Sequence, residues 1–228
     1  MLTKKKKISR KEIKEDKLVT TYYQAVGYFN ENKSRIYIYT GIVVGVVALV
    51  FFYLNYKHQN NLKASAELGK VMDLYENGAY QEAIDGRAAG NVKGLKAIVD
   101  EYGSTETGEI AKVYLANAYN FLGKTEEAFE YYDDYSGDNK LFKASALAGE
   151  ASYYASKGEF VKAANTYKEA AYTDKSNPMN PDYLLKAGIN FLNADEKENA
   201  SEVFETIKEE FKTTTAAREV DKYMAVLK

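Results

Sequence analysis

The sequence predicts an all-α protein, with a single N-terminal transmembrane helix followed by a solenoid of about four helical hairpins and a capping helix. Three observations support this fold class. Residues 36–56 form an apolar run that contains no charge. Beyond His58 the chain is rich in Ala, Tyr, Glu and Lys, has only Pro178 and Pro181 as prolines, and shows no sustained alternation of apolar and polar residues. A pattern of small and aromatic residues also recurs along that part.

The apolar run has the length of one membrane crossing. As a helix between Arg35 and Lys57 it spans about 31 Å, against about 30 Å of bilayer hydrocarbon. A lone strand in lipid would leave its backbone groups unpaired, whereas a helix satisfies them internally. Aromatic rings lie at both ends, where the headgroup layers are expected. They are Tyr37, Tyr39, Phe51, Phe52, Tyr53 and Tyr56.

The charges predict how the anchor is oriented. Residues 1–35 hold ten Lys or Arg and four Asp or Glu, so they carry +6 of the net charge of −2 and the remainder carries −8. The positive-inside rule therefore places the N-terminus in the cytoplasm and the large domain outside. We divide the chain into a basic cytoplasmic segment (1–35), a transmembrane helix (36–56), a juxtamembrane linker (57–61) and a repeat domain (62–228).

The segment before the anchor has two parts. Residues 1–17, with Lys4–Lys7 as a block, are charged and predicted to be disordered; they either contact anionic inner-leaflet lipid or only fix the topology. From Leu18 onward, apolar residues at steps of three and four predict an amphipathic helix in the interface plane. Its stripe is Leu18, Tyr22, Ala25, Val26 and Phe29.

Two further patterns lie in or near the anchor. Gly41 and Gly45 form a G-x-x-x-G that could mediate a weak homodimer, although glycine is also simply tolerated in membrane helices. Ala64 and Ala66 resemble a signal-peptidase site, but the apolar run is too long and too far from the start for a signal peptide. We therefore expect the anchor to be retained.

The domain after the anchor repeats at intervals of 45, 35 and 37 residues. Gly78, Gly123, Gly158 and Asp195 align, and alanine follows five places later at Ala83, Ala128, Ala163 and Ala200. Large residues precede the aligned position by four places (Leu74, Tyr119, Tyr154, Phe191), and mostly small ones by seven (Val71, Ala116, Ala151, Gly188). Aromatic residues follow by nine places (Tyr132, Tyr167, Phe204), where the first unit has Arg87. The pattern predicts hairpins whose small residues let the two helices close, with a left-handed residue ending each first helix.

The ends of the repeats carry their own signals. Gly86, Gly90 and Gly94 interrupt the second helix of the first unit, which predicts a loop followed by an added helical segment at 93–102. Asn180 and Pro181 predict an N-cap and first-turn pair for the fourth unit. Residues 216–227 place Val220, Tyr223, Met224 and Leu227 on one side and predict the capping helix.

These positions are the signature of the tetratricopeptide repeat, and residues 62–228 resemble that family. A narrower resemblance, to the ancillary subunit of the SecYEG translocon, is carried by the basic start, the single membrane helix and segments such as EAIDG and YLLKAGINF. It implies a bitopic inner-membrane protein with a periplasmic repeat domain. The partners it implies are translocon subunits, periplasmic chaperones or unfolded secreted chains.

The family register also implies a peptide-binding groove. In units two and three its inner positions would be Ile110, Val113, Asn117, Asn120, Ser145, Ala148, Ser152 and Ala155. Asn117 matches the amide that holds a peptide backbone in many family members, whereas the basic residues that clamp a terminal carboxylate are missing. Alternatively, these small residues only allow superhelical curvature.

No catalytic, cofactor-binding or metal-binding residues are predicted. His58 is the only histidine and cysteine is absent, so a transition-metal site is not expected. Acidic pairs such as Asp133 and Asp134 are adjacent on a helix, so their side chains do not point at one place. The charge of −8 on residues 36–228 disfavours nucleic acid as a partner.

We expect a non-enzymatic scaffold that binds proteins, with handover of secreted chains as the sharper hypothesis. A scaffold for outer-membrane biogenesis or division is the alternative; a third is an enzyme or sensor that uses the cytoplasmic tail or a hidden pocket.

Overall fold

The computed structural model describes residues 10–225 and residue 227, and about four fifths of them are helical. The chain divides into two compact units, Met1–Tyr56 and Lys57–Lys228. The helices are α1 (Arg10–Glu76), α2 (Tyr80–Asp85), α3 (Leu95–Tyr102), α4 (Glu106–Phe121), α5 (Thr125–Asp133), α6 (Lys140–Ser156), α7 (Phe160–Thr173), α8 (Asn180–Asn193), α9 (Lys197–Glu210) and α10 (Thr215–Met224). Two short strands, β1 (Gly86–Arg87) and β2 (Val92–Lys93), pair antiparallel between α2 and α3. The predicted all-α class is confirmed.

The first unit consists of the N-terminal part of α1. Among the described residues, α1 is the one helix long and apolar enough to cross a membrane, with none of its apolar window buried. The block Lys4–Lys7 and the rest of residues 1–9 lie outside the described residues. Residues 10–17 were predicted to be disordered but are helical, because Lys, Arg and Glu are good helix formers and extend a helix that is already nucleated.

α1 also passes through two predicted boundaries without a break. Residues 18–29 do not form a separate helix, since residues 30–35 continue the same helix into the apolar run. Residues 57–61, the expected linker, are helical as well. Polarity changes at both places, but neither contains a Gly or Pro that would end a helix.

In the second unit, three-residue turns join four pairs of helices: α1 to α2, α4 to α5, α6 to α7, and α8 to α9. The middle residue of each turn has a positive φ: 74° at Gly78, 75° at Gly123, 78° at Gly158 and 60° at Asp195. The residue after it donates its N–H to the carbonyl five places earlier at 2.9 Å in all four turns, which is the hydrogen bond of a Schellman cap. The predicted alignment of the four turns is therefore confirmed.

Small residues allow close packing within and between these hairpins. The aligned residues Ala83, Ala128, Ala163 and Ala200 are all buried. A Cβ added at Gly188 would overlap the ring of Phe204 in the same hairpin. A Cβ added at Gly149 of α6 would overlap the ring of Tyr132 in α5. Aromatic rings thus fill spaces that exist only because the facing residue lacks a side chain.

The first hairpin departs from the others where the glycines predicted it. α2 is short and is followed by the two-stranded β-hairpin, whose turn has positive φ at Gly90 and Asn91. Gly86 and Gly94 lie so close that a side chain on either would meet the other's backbone. α3 then forms the predicted added helix, beginning two residues later than expected.

The start of α8 differs from the prediction. Asn180 is not the N-cap but the first residue of the helix, with Pro181 second. The helix begins earlier because the Asn177 side chain accepts a hydrogen bond from the Met179 N–H at 3.0 Å, which forms the turn in place of a cap. Asn180 is buried instead and donates its side-chain N–H to the Asp174 carbonyl at 2.7 Å.

The core is built from helices that are neighbours in sequence. One buried cluster joins the end of α1 to α2, α3 and α4; a second lies between α4, α5 and α6; and a third extends from α6 to α10. In the last cluster α10 contributes Val220, and Tyr223, Met224 and Leu227 pack against its edge, as predicted for the final helix. A stack of this kind grows by adding hairpins to one end.

Candidate binding surface

The eight predicted groove residues do not form one open surface. Val113 is 1% exposed and packs with Ala116, Tyr132 and Ala146, so it cannot line a groove. Asn120 and Ser152 are exposed, and the remaining five are partly buried: Ile110, Asn117, Ser145, Ala148 and Ala155. The family register placed Val113 on the concave face, but here the close approach of α6 covers it.

Asn117 is engaged inside its own hairpin. The hydroxyl of Tyr132, which is almost fully buried, donates a hydrogen bond to Asn117 Oδ1 at 2.6 Å. Burial raises the pKa of the Tyr132 hydroxyl. A buried hydroxyl without a partner costs free energy, so the amide of Asn117 stabilises the hairpin. The Oδ1 of Asn117 is therefore already engaged within the protein, and the role of this amide in holding a peptide stays a prediction.

The next hairpin repeats this pairing at the same positions. Burial raises the pKa of Tyr167, and a hydrogen bond with the side chain of Ser152 opposes the rise. In the fourth hairpin the aromatic residue is Phe204, which has no hydroxyl, and the position of Asn117 and Ser152 is taken by Ile189. A polar residue occurs at this position only where a buried tyrosine needs a partner.

Replacing Asn117 with alanine should destabilise the protein by about 1–2 kcal/mol, because the Tyr132 hydroxyl is left buried without a partner. Replacing Tyr132 with phenylalanine in the same chain should recover part of that loss. Urea unfolding of the full chain in detergent micelles, followed by near-UV circular dichroism, measures both. Additive effects of the two changes would contradict the pairing.

A shallow pocket with a cavity volume of about 50 Å³, open to solvent, lies beside these residues. It includes two of the predicted positions, Asn120 and Ser152. The other lining residues are Thr125, Ala128, Phe129, Tyr132, Gly149, Tyr153 and Ser156. Phe129 stacks on Tyr153 with ring centroids 4.3 Å apart, so the pocket has one aromatic wall and a polar rim of amide and hydroxyl groups. The prediction that Asn120 and Ser152 face a concave space agrees with this geometry.

A continuous row of aromatic rings lies on the same unit, and we call it the aromatic row. Its members come from α4, α2, α1, α4 and α6, in the order Phe121, Tyr80, Tyr75, Tyr114 and Phe142. Neighbouring ring centroids are 4.6, 5.5, 5.2 and 5.8 Å apart. Phe121 is 61% exposed, and the four other residues are partly exposed. Half-exposed amphipathic rings are the residues that protein interfaces favour.

The hydroxyl groups of the row interact with one another. The pKa of Tyr75 is raised to about 12, mainly by burial with contributions from the neighbouring Tyr80 and Tyr114, while a hydrogen bond with Asn117 opposes the rise. The Tyr75 phenol therefore stays protonated at neutral pH and can donate a hydrogen bond to a backbone carbonyl. The row was not predicted from the sequence, because its members lie far apart in the chain; the 21 tyrosines are the one signal that pointed to it.

Three carboxylates from three helices lie near one another elsewhere in the unit. The pKa of Glu150 in α6 is raised to about 7, mainly by burial and also by the charges of Asp133 in α5 and Glu169 in α7, while Lys162 opposes the rise. Acidic residues from different helices thus interact electrostatically, which the sequence could not show. Within residues 10–225 and 227, no group of three His, Asp or Glu residues is arranged to hold a metal ion.

Glu150 should make stability depend on pH. Its pKa is higher in the folded chain, about 7, than the usual value of about 4.3. Its contribution is fully present below the unfolded value and is lost as the pH rises through 7. Glu150→Gln should therefore raise the urea midpoint at pH 8 and leave it nearly unchanged at pH 4. An equal gain from Glu130→Gln, at an exposed position on α5, would show that the effect comes from net charge instead.

The comparisons with known proteins found no match: no family model, no curated protein and no solved structure is similar to this chain. The class of the protein is therefore inferred from its own residues and geometry.

Proposed function

We propose that the chain is a membrane-anchored, non-enzymatic scaffold of the tetratricopeptide-repeat type that binds segments of other proteins. The aromatic row is the observation that carries this proposal. It places five partly exposed rings and several phenol hydroxyls side by side on a rigid helical support. Such a surface can pack against apolar side chains and donate hydrogen bonds to an extended backbone at the same time.

The repeat assignment is supported by the regularity of the hairpins. Four turns share one length, one left-handed position and one capping hydrogen bond. A buried alanine lies five residues after the middle residue of each turn. A buried aromatic residue lies nine residues after the middle residue of three of the four turns. These are the positions that define the tetratricopeptide signature in the sequence.

The proposed binding site extends from the aromatic row to the pocket at Asn120 and Ser152. Asn117 of α4 joins the two, because its side chain forms hydrogen bonds with Tyr132, which lines the pocket, and with Tyr75 of the row. No described carboxylate or lysine lines this pocket, so it favours neutral segments over strongly charged ones. An unfolded secreted chain offers many extended, apolar and neutral segments.

The proposed location is a bacterial inner membrane, with residues 36–56 as a single span, the N-terminus in the cytoplasm and the repeat domain in the periplasm. The charge asymmetry supports this orientation, since residues 1–35 carry +6. Protease added to intact spheroplasts should remove the repeat domain. Cleavage only from the cytoplasmic side would overturn the orientation.

The sharper form of the proposal is handover of emerging chains from the translocon to periplasmic chaperones, which the resemblance to the ancillary translocon subunit implies. A photocrosslinking amino acid at Asn120 or Phe121 should trap a translocon subunit, a chaperone or a secreted chain. Glu205 is the control position, because it is exposed on α9, which contributes no ring to the row. If none of these partners is trapped, the handover role fails. Subunits of an outer-membrane assembly or division complex would support the alternative scaffold.

A further inference from the structure

We propose that residues 18–36 of α1 form a parallel, in-register coiled coil with a second copy of this chain. This inference concerns a different surface from the binding site, but it rests on the proposed placement of residues 36–56 across a membrane. It assigns a partner to an apolar face that the first unit leaves uncovered.

The apolar face follows a heptad seam. Side chains recur at alternating steps of four and three residues, an average spacing of 3.5 that keeps one stripe facing a partner helix. The seam residues are Leu18, Tyr22, Ala25, Phe29, Asn32 and Ile36. Leu18 is 71% exposed and Tyr22 is 65% exposed. The opposite side carries polar residues, including Gln24 and Glu31.

The continuity of α1 decides what can cover this stripe. The helix runs unbroken from residue 18 into the spanning residues, and no Gly or Pro occurs from Tyr28 to Thr40. The stripe therefore continues along the axis of the span and projects into water, where it cannot lie flat on the lipid surface. An apolar stripe in water needs protein cover. Every copy is inserted in the same orientation, so two copies present identical stripes in parallel.

The charges beside the seam are compatible with such a pair. In a parallel coil, a residue flanking the seam on one side faces the residue five places later in the other copy. Tyr28 would face Lys33 of the second copy, and Arg35 would face Thr40, so no like charges meet. Asn32 is the one polar seam residue, and a single polar residue in the seam fixes register at some cost in stability.

This dimer differs from the one that Gly41 and Gly45 predict. At about 100° per residue, the two glycines lie about 140° and 180° away from Leu18 around the helix axis. One pair of straight helices cannot use both faces. Neither glycine has another atom of the chain near the position of a Cβ, so each can be replaced without changing the monomer.

Cysteine cross-linking in native membranes tests the proposal, because the chain contains no cysteine of its own. Ala25→Cys and Phe29→Cys place a thiol in the seam, whereas Gln24→Cys and Glu31→Cys place it on the opposite side. Gly45→Cys reports on the glycine face. Mild oxidation should give a several-fold higher fraction of covalent dimer for the two seam variants than for the other three. Resistance to alkaline extraction, measured in the same samples, reports membrane insertion.

Every other outcome of the cross-linking experiment overturns the proposed coiled coil. Dimers from Gly45→Cys but not from the seam variants would assign the contact to the glycines. No dimers in extraction-resistant membranes would mean that the stripe is covered by lipid or by another protein, and the proposed function would stand. Loss of the protein on alkaline extraction would overturn the membrane placement together with the coiled coil.

Discussion

Replacing Gly188 with alanine is expected to destabilise the chain by about 3 kcal/mol. The added Cβ would overlap the ring of Phe204, which is fully buried. Overpacking of this kind displaces helices as well as rings, so α8 and α9 must separate. Urea unfolding of the full chain in detergent micelles, followed by near-UV circular dichroism, measures the loss.

Gly69→Ala is the matched control. Gly69 lies within α1, is exposed and has no atom near the position of a Cβ. The same substitution there should stabilise the protein by about 0.5–1 kcal/mol, because alanine favours a helix over glycine. Adding Phe204→Leu to the Gly188→Ala chain should recover part of the stability. Equal effects of the two glycine substitutions would contradict the close packing.

The positions of the turns could be predicted because their cause is local. A residue in the left-handed region is needed wherever a three-residue turn ends a helix, and glycine meets that need at the lowest cost. Gly78, Gly123 and Gly158 show it directly. Asp195 has the same conformation, since Asp tolerates the left-handed region better than most residues. Spacing around these four positions was then enough to find the buried alanine and aromatic residues.

The binding surface could not be predicted in the same way, because it depends on which helices meet. Val113 matches the register of a groove residue, yet it is buried because α6 packs against it. Asn117 matches a peptide-binding amide, but its partner is Tyr132, fifteen residues further along the chain. Comparing the repeats could have revealed this, since Ile189 occupies the same position where Phe204 replaces the tyrosine.

The segment boundaries predicted from hydropathy do not coincide with helix ends in α1. Polarity changes at residues 30–35 and 57–61. Hydropathy determines which solvent a helix meets, whereas helices end at Gly, Pro or capping residues. Neither stretch contains a Gly or a Pro, and both are helical.

Replacing Lys112 with methionine is expected to cost about 3 kcal/mol, because it leaves a buried carboxylate without its cation. Lys112 and Glu109 are 7% and 8% exposed, and Lys112 Nζ lies 2.9 Å from Glu109 Oε1. The same Nζ donates to the Asp134 carbonyl at 3.0 Å, while Glu109 accepts from the Ser136 N–H at 2.8 Å. These bonds hold the connection between α5 and α6 against α4. Lys96→Met is the control, because Lys96 and Asp100 form an exposed pair and its loss should cost less than about 1 kcal/mol.

The pH dependence of this difference identifies its origin. Burial opposes the charged form of Lys112, but hydrogen bonds to Asp134 and Glu109 outweigh it and raise the pKa. Stability from a raised lysine pKa is fully present below the unfolded value of about 10.4 and is lost as the pH rises through the folded value. The stability difference between the native chain and Lys112→Met should therefore be constant near neutral pH and shrink only in strong alkali. Adding Glu109→Gln to Lys112→Met should restore most of the stability, because a neutral amide oxygen can still accept a hydrogen bond from the Ser136 N–H. A further loss of stability would contradict this. It would show that the packing of the Lys112 stem, and not its charge, supports the connection.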